Sequence, residues 1–75
     1  MEIKNRIKKD IELFEKNYRE VKEKEVVEMA KRYYEDSKYY FSLGDYFTAF
    51  GCINYAHGLI DAIRLFSKSK DYNTQ

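Results

Sequence analysis

The sequence predicts an all-α fold, an up-down-up bundle of three helices. Apolar residues recur every three or four positions along most of the 75-residue chain, a spacing typical of amphipathic helices. The chain has no proline and only three glycines, so few positions interrupt a helix. The segment Leu43-Gly44-Asp45 has the composition of a tight turn. With such short connections, consecutive helices are expected to run antiparallel.

The first helix is predicted over residues 2–22 and is followed by a break. Its apolar stripe consists of Ile3, Ile7, Ile11, Phe14, Tyr18 and Val21. At about 100° per residue, the stripe that begins at Val26 is centred about 135° further round the helix axis. One straight helix could not bury both stripes against the same neighbour. We therefore predict that the helix breaks at Lys22 to Glu25.

The second and third helices are predicted over residues 26–43 and 45–67. Gly44 supplies a left-handed residue that ends one helix, and the Asp45 carboxylate accepts the unpaired N–H groups that begin the next. The third helix is apolar over about half its circumference and is expected to touch two neighbours. Residues 1–67 are thus predicted to form a single domain, and residues 68–75 a polar tail.

Composition limits the classes of function. A net charge of +1 gives no overall attraction to nucleic acid. No apolar run approaches the roughly 18 residues of a membrane span, and no signal peptide is recognisable. The single cysteine, Cys52, has no intramolecular partner. We expect a cytoplasmic protein that does not enter a membrane.

Several short motifs lie between Ala30 and Phe66, and the strongest is Tyr55 to Ala62, YAHGLIDA. The others are Tyr34 with Asp36, and Leu43-Gly44-Asp45 with Ala49. Together they resemble the small archaeal helical family catalogued as domain of unknown function 357, whose signature is YA-x-G-x-x-DA. Ser37 stands where alanine is more usual. The resemblance implies a three-helix fold and an archaeal source, but no activity whose residues could be carried over.

The same stretch faintly resembles a tetratricopeptide repeat, which also joins two helices through a Gly-Asp turn. One such unit cannot bury its apolar face alone, and the arrays usually need three or more copies. The chain contains no second copy. We interpret the likeness as shared helical-hairpin chemistry.

Four polar side chains of the third helix project within about 80° of one another. They are Asn54, His57, Asp61 and Arg64. In a functional interpretation, Asp61 fixes the tautomer of His57 and Arg64 holds an anion, so the group could act as an acid/base site. A solvated helix face with weak ion pairs is the alternative. We favour that alternative, because no nucleophile, second carboxylate or glycine-rich loop is recognisable beside the group.

Gly51 and Gly58 flank this polar group, seven residues apart on the same side of the helix. Glycine costs roughly 1 kcal/mol relative to alanine inside a helix. Close approach of another helix would offset that cost. The approaching helix could be the first helix of the same chain, which is the simpler interpretation, or one from a partner chain.

A tyrosine cluster and the potential metal ligands suggest other functions. The cluster is Tyr33, Tyr34, Tyr39 and Tyr40, which could stack nucleic-acid bases, but only Lys38 is basic nearby. Only Tyr39 is expected to point away from the apolar stripe, and the other rings are expected in the core. One histidine and one cysteine do not make a recognisable zinc site, so we expect neither a metal nor a cofactor.

The favoured hypothesis is a non-enzymatic protein-interaction module that binds a protein partner or forms a homodimer. Its candidate interaction face consists of Gly51, Asn54, His57, Gly58, Asp61, Arg64 and Tyr39. A nucleic-acid-associated accessory protein is the alternative, supported by the lysines and arginines of the first helix. A small enzyme built on His57, Asp61 and Arg64 is third.

Overall fold

The computed structural model describes the backbone of residues 2–73 and the side chains of residues 2–66. It contains three α-helices, α1 (Ile3–Asn17), α2 (Lys24–Ser42) and α3 (Tyr46–Asn73), with a 3₁₀ turn at Tyr18–Glu20. The described backbone contains no strand. The predicted all-α class with three packed helices is confirmed.

The predicted break between the first two helices is present but lies earlier than Lys22 to Glu25, since α1 ends at Asn17 rather than at residue 22 and α2 already begins at Lys24. After the 3₁₀ turn, Val21 is extended, with φ −97° and ψ 127°, and its N–H donates to the Tyr18 carbonyl at 3.3 Å. Glu23 is also extended, and α2 begins at Lys24. The Val21 side chain is buried in the core. The chain therefore leaves the helix just where the apolar stripe changes phase.

The turn between α2 and α3 has the predicted chemistry. Gly44 adopts φ 80°, the left-handed conformation that glycine allows without steric cost. The Gly44 N–H donates to the Phe41 carbonyl at 3.0 Å, and the Asp45 N–H donates to the Tyr40 carbonyl at 3.0 Å. These two bonds form a Schellman motif. Asp45 Oδ1 then accepts the Thr48 N–H at 3.2 Å and caps α3.

Helix α3 runs antiparallel to α2. Ser37 of α2 bonds to Ala49 of α3, and one turn earlier on α2 the Tyr33 ring lies 4.4 Å, between centroids, from the Tyr55 ring on α3. Later residues of α2 thus contact earlier residues of α3, as in an antiparallel pair. A turn this short also requires the two helices to run antiparallel.

Helix α1 runs parallel to α3. Asp10 meets His57, and Glu20, just beyond α1, meets Arg64, so the contacts advance along both segments together. Because α2 is antiparallel to α3, the three helices have the up-down-up topology that the sequence predicted.

The core lies where the apolar faces of the three helices meet. Its members are mainly those of the predicted stripes. The buried apolar residues are Ile7, Phe14, Val21, Ala30, Tyr34, Ala49, Ile53, Ala56 and Ile60.

The half of α3 predicted to be apolar includes a stripe that is only partly covered, formed by Cys52, Tyr55, Leu59, Ala62 and Phe66. Leu59 packs against the core, whereas Tyr55 and Phe66 are mostly exposed. Since α2 begins at Lys24 and runs antiparallel to α3, Phe66 lies past the end of α2. No second helix therefore reaches that end of the stripe.

The third helix is longer than predicted. It continues to Asn73, six residues beyond the expected end at Ser67. The intervening residues contain no glycine or proline, so each can add a backbone hydrogen bond to the existing helix. The predicted polar tail, 68–75, is therefore helical in its first six residues. Its side chains, and residues 74–75 altogether, lie outside the described part of the chain.

Candidate interaction face

The four polar residues predicted to act together on α3 do not share one environment. His57 faces α1. His57 Nε2–H donates to the Asp10 backbone carbonyl, with 2.6 Å between nitrogen and oxygen. The ring also meets Phe14 edge to face, with 5.8 Å between centroids and 86° between planes. A carbonyl oxygen accepts and cannot donate, so Nε2 carries the proton. His57 thus fastens α3 to α1.

Arg64 makes a second connection to the same side of the bundle. Its Nη2 lies 3.4 Å from Glu20 Oε2, and both side chains are about half exposed. An exposed ion pair of this kind contributes roughly 0–1 kcal/mol. Arg64 therefore ties α3 to the 3₁₀ turn, and the tie is weak.

The acid/base hypothesis required Asp61 to hold His57. Among the side chains of residues 2–66, no hydrogen bond or ion pair joins Asp61 to His57 or to Arg64. The i,i+4 spacing indicated contact, but the His57 ring turns toward α1 instead. The geometry expected of that site is therefore not formed.

Asn54 and Asp61 point away from the bundle, together with Gly51 and Gly58. A β-carbon added at either glycine would have no heavy atom within 4 Å beyond its chain neighbours and the adjacent helix backbone. The first helix does not cover the glycines, so the simpler explanation for them is wrong. Within the described chain, nothing packs closely enough to require glycine at these positions.

Two large apolar residues lie in line with the glycines, and sequence reasoning missed both. Phe47 is 91% exposed and Leu65 is 67% exposed. Phe47 and Leu65 are the two ends of a row of six residues on α3, in which neighbouring members are alternately four and three positions apart in the sequence. We call this row the outer seam; its members are Phe47, Gly51, Asn54, Gly58, Asp61 and Leu65.

The outer seam lies on the side of α3 opposite the core. At about 100° per residue, the buried Ala49, Ile53 and Ala56 project roughly 150° away from the seam. The signal that could have found Phe47 and Leu65 was their spacing, which matches that of Gly51 and Gly58. They were missed because the apolar residues were sorted only into stripes expected to be buried.

Tyr39 is the one predicted face residue that the structure does not bring near the others. It lies on α2, is 59% exposed, and meets the Tyr40 ring edge to face at 5.3 Å. By helical phase it projects opposite Ala30 and Ser37, which are buried. We therefore leave Tyr39 out of the outer seam.

Of the remaining tyrosines of the cluster, Tyr34 is buried in the core as expected, whereas Tyr33 and Tyr40 are only partly buried. Tyr34 stacks on Phe14 with 4.9 Å between centroids, and its hydroxyl donates to the Glu15 carboxylate. Burial raises the pKa of Tyr34, and the hydrogen bond to Glu15 raises it further. Lys38 Nζ lies 4.9 Å from the centre of the same ring. With these contacts, the Tyr34 ring is not available for stacking bases.

Cys52 is half-buried rather than fully buried. Burial raises the pKa of its thiol, and the carboxylates of Asp36 and Asp45 add to that effect. The thiolate is the reactive form, so this environment makes Cys52 less nucleophilic.

Two further observations concern the described residues as a whole. Among them, no three His, Cys, Asp or Glu side chains converge as a metal site would require. None of the helices in this part of the chain combines the length and apolar character needed to cross a membrane.

Of the comparisons with known proteins, one gave a match. Searches of the curated proteins and of the solved structures found no match. A family model described as "Protein of unknown function (DUF357)" matches residues 4–68. That match covers most of α1, where the sequence carries no recognisable motif, as well as α2 and the body of α3. The chain belongs to this family.

Proposed function

We propose that the protein is a non-enzymatic interaction module that binds another α-helix along the outer seam of α3. The observation that carries this proposal is the exposure of Phe47, which is 91% exposed at one end of the seam. Phe47 contributes little to the core, so folding alone gives no reason for an aromatic side chain there. Burying such a ring against a partner removes about 150–250 Å² from water.

The two glycines support a helical partner. Each lacks a side chain and has open space beyond it, so a second helix could approach the α3 backbone closely. Each also lowers the stability of the free helix by roughly 1 kcal/mol relative to alanine. Close contact with a partner would offset that loss.

His57 and Arg64 have a structural role in this proposal. His57 reaches across to α1 and Arg64 reaches the 3₁₀ turn that follows α1, and neither side chain covers the seam. The seam is then a rigid surface whose shape does not depend on a mobile loop. Rigid surfaces lose less conformational entropy on binding.

Affinity capture with matched variants tests the proposal. Wild type, Phe47→Ser and Tyr39→Ser are immobilised, and proteins retained from an extract of the source cells are identified. Both substitutions remove one exposed aromatic ring, but only Phe47 belongs to the seam. We expect a defined protein that wild type and Tyr39→Ser retain, that Phe47→Ser loses, and that binds again when purified.

Equal retention by all three variants would contradict the proposal. The nucleic-acid alternative predicts a different outcome, in which retention disappears after nuclease treatment. In that case, the logarithm of the affinity for RNA would also fall steeply and linearly with the logarithm of the salt concentration, because phosphate contacts release counterions.

A further inference from the structure

We infer that the seam binds a second copy of the same chain, with the two α3 helices antiparallel about a two-fold axis that crosses the seam at the level of residue 56. This inference rests on the proposed function, since it names the partner for the same surface. It depends on the order of residues along the seam.

The seam has the repeat of a helix that packs against another helix. Its members recur at spacings of 4, 3, 4, 3 and 4, the alternation of a and d positions in a coiled coil. Gly51, Gly58 and Leu65 occupy one class of position, and Phe47, Asn54 and Asp61 occupy the other. In an antiparallel pair, each member of one class lies opposite a member of the other.

The seam is complementary to its own reverse. When two copies are aligned antiparallel about Ala56, Phe47 lies opposite Leu65 of the second copy. Gly51 lies opposite Asp61, and Asn54 lies opposite Gly58. The large apolar side chains thus meet each other at both ends, and each glycine leaves room for a polar side chain. A two-fold interface requires this kind of self-complementarity.

Charge and volume favour the antiparallel arrangement over the parallel one. In a parallel pair aligned in register, Asp61 would lie directly opposite Asp61 of the second copy, and like charges at that distance repel. Each glycine would also face a glycine and leave a gap. The antiparallel pair separates the two Asp61 carboxylates by ten residues along the axis, or about 15 Å.

The size of the seam sets the expected affinity. It spans nineteen residues, Phe47 to Leu65, or about 27 Å of helix, with large apolar contacts at its two ends. Such an interface falls at the small end of specific protein contacts. We expect a reversible dimer with a dissociation constant between about 1 µM and 1 mM.

Cysteine cross-linking tests both the partner and the register. Cys52 is replaced by serine, and Phe47→Cys and Leu65→Cys chains are made separately in that background. Each chain alone, and the two mixed, are treated with a mild oxidant at a concentration where the unoxidised mixture itself sediments as a dimer, because the mixed pair keeps only one of the two Phe47–Leu65 contacts. A Tyr39→Cys chain, with an exposed thiol outside the seam, measures cross-linking by random collision.

The antiparallel pair predicts disulfide-linked dimers in the mixture, at least tenfold above the Tyr39→Cys background. Either chain alone should stay at that background, since residues 47 of the two copies then lie about 27 Å apart. Strong cross-linking of Phe47→Cys alone would overturn the antiparallel register. A mixture no better linked than the Tyr39→Cys chain would overturn the inference as well.

The oligomeric state separates this inference from the proposed function. If the Cys52→Ser parent remains a monomer up to about 1 mM while Phe47 is still required to capture another protein, the second-copy inference fails and the proposed function stands. If the parent is a monomer and capture does not depend on Phe47, both fail.

Discussion

Ser37 Oγ donates a hydrogen bond of 2.7 Å to the backbone carbonyl of Ala49, and both residues are fully buried. The bond joins α2 to α3 about two helical turns before Gly44 and about one helical turn after Asp45. Within α3 the same carbonyl also accepts the Ile53 N–H, as the α-helical pattern requires. The hydroxyl is therefore satisfied, and the carbonyl does not depend on it.

Replacing Ser37 by alanine should cost little. The substitution removes the hydroxyl together with its bond and leaves no polar group unpaired, so we expect a loss below about 1.5 kcal/mol. Ser37→Val adds methyl groups to a fully buried site and should cost about 1–3 kcal/mol if the site is tightly packed. Urea denaturation of both variants measures the difference. Equal losses would mean that the Ser37 site is not tightly packed.

Asp45→Ala should destabilise the protein by about 0.5–2 kcal/mol, because the Thr48 N–H loses its acceptor. Asp45→Asn keeps an oxygen in the same place and serves as the control. Chemical denaturation gives the free energy of unfolding of each. An unchanged midpoint at unchanged slope for Asp45→Ala would show that this carboxylate does not cap α3.

The three glycines should respond differently to alanine. Gly44→Ala forces a β-carbon into the left-handed region and should cost about 1–2 kcal/mol. Gly51→Ala and Gly58→Ala occupy open helix positions and should each add about 0.5–1 kcal/mol. Thermal unfolding at low protein concentration, where the monomer dominates, measures the three effects. A loss of stability in Gly51→Ala or Gly58→Ala would mean that the glycines serve the fold.

Tyr34 should make stability fall at high pH. Burial raises the pKa of Tyr34, and the hydrogen bond to Tyr34 raises the pKa of Lys38, so both hold their protons more tightly in the folded chain. Their contribution is complete below the unfolded tyrosine value of about 10. It is lost as pH rises through the folded pKa values, because the folded state then has more protons to lose.

Tyr34→Phe provides the comparison, since it keeps the ring and removes the hydroxyl bonded to Glu15. At neutral pH we expect it to cost about 0.5–1.5 kcal/mol. The difference between wild type and Tyr34→Phe should shrink as pH rises above 10. Denaturant unfolding across that range measures it, and a difference that grows instead would contradict the assigned direction.

Local chemistry explains why much of the fold could be predicted. The break near Val21 follows from the phase of two apolar stripes, and the turn follows from a glycine beside an aspartate. Both signals involve residues close together in the chain. The end of α3 was misplaced because polar residues without glycine or proline give no clear stop signal.

The contacts of the site depended on packing that spacing does not reveal. His57 and Asp61 are four residues apart, yet His57 bonds to Asp10, which is 47 residues away. Which of the two aspartates His57 contacts depends on how α1 packs against α3. Phe47 posed a similar problem, because an aromatic side chain is normally expected in the core, and only the positions of α1 and α2 reveal that it is exposed.

Light scattering of wild type and Gly58→Leu over a concentration series tests the central claim, that α3 binds a second copy of the chain through its outer seam. The leucine has open space in the monomer and a better helix propensity than glycine, so the variant should fold. Its side chain should block a second helix. We predict that wild type dimerises and that Gly58→Leu remains a folded monomer. A wild-type monomer up to about 1 mM, where binding is worth only about −4 kcal/mol, would contradict the claim, as would a Gly58→Leu variant that dimerises as well as wild type.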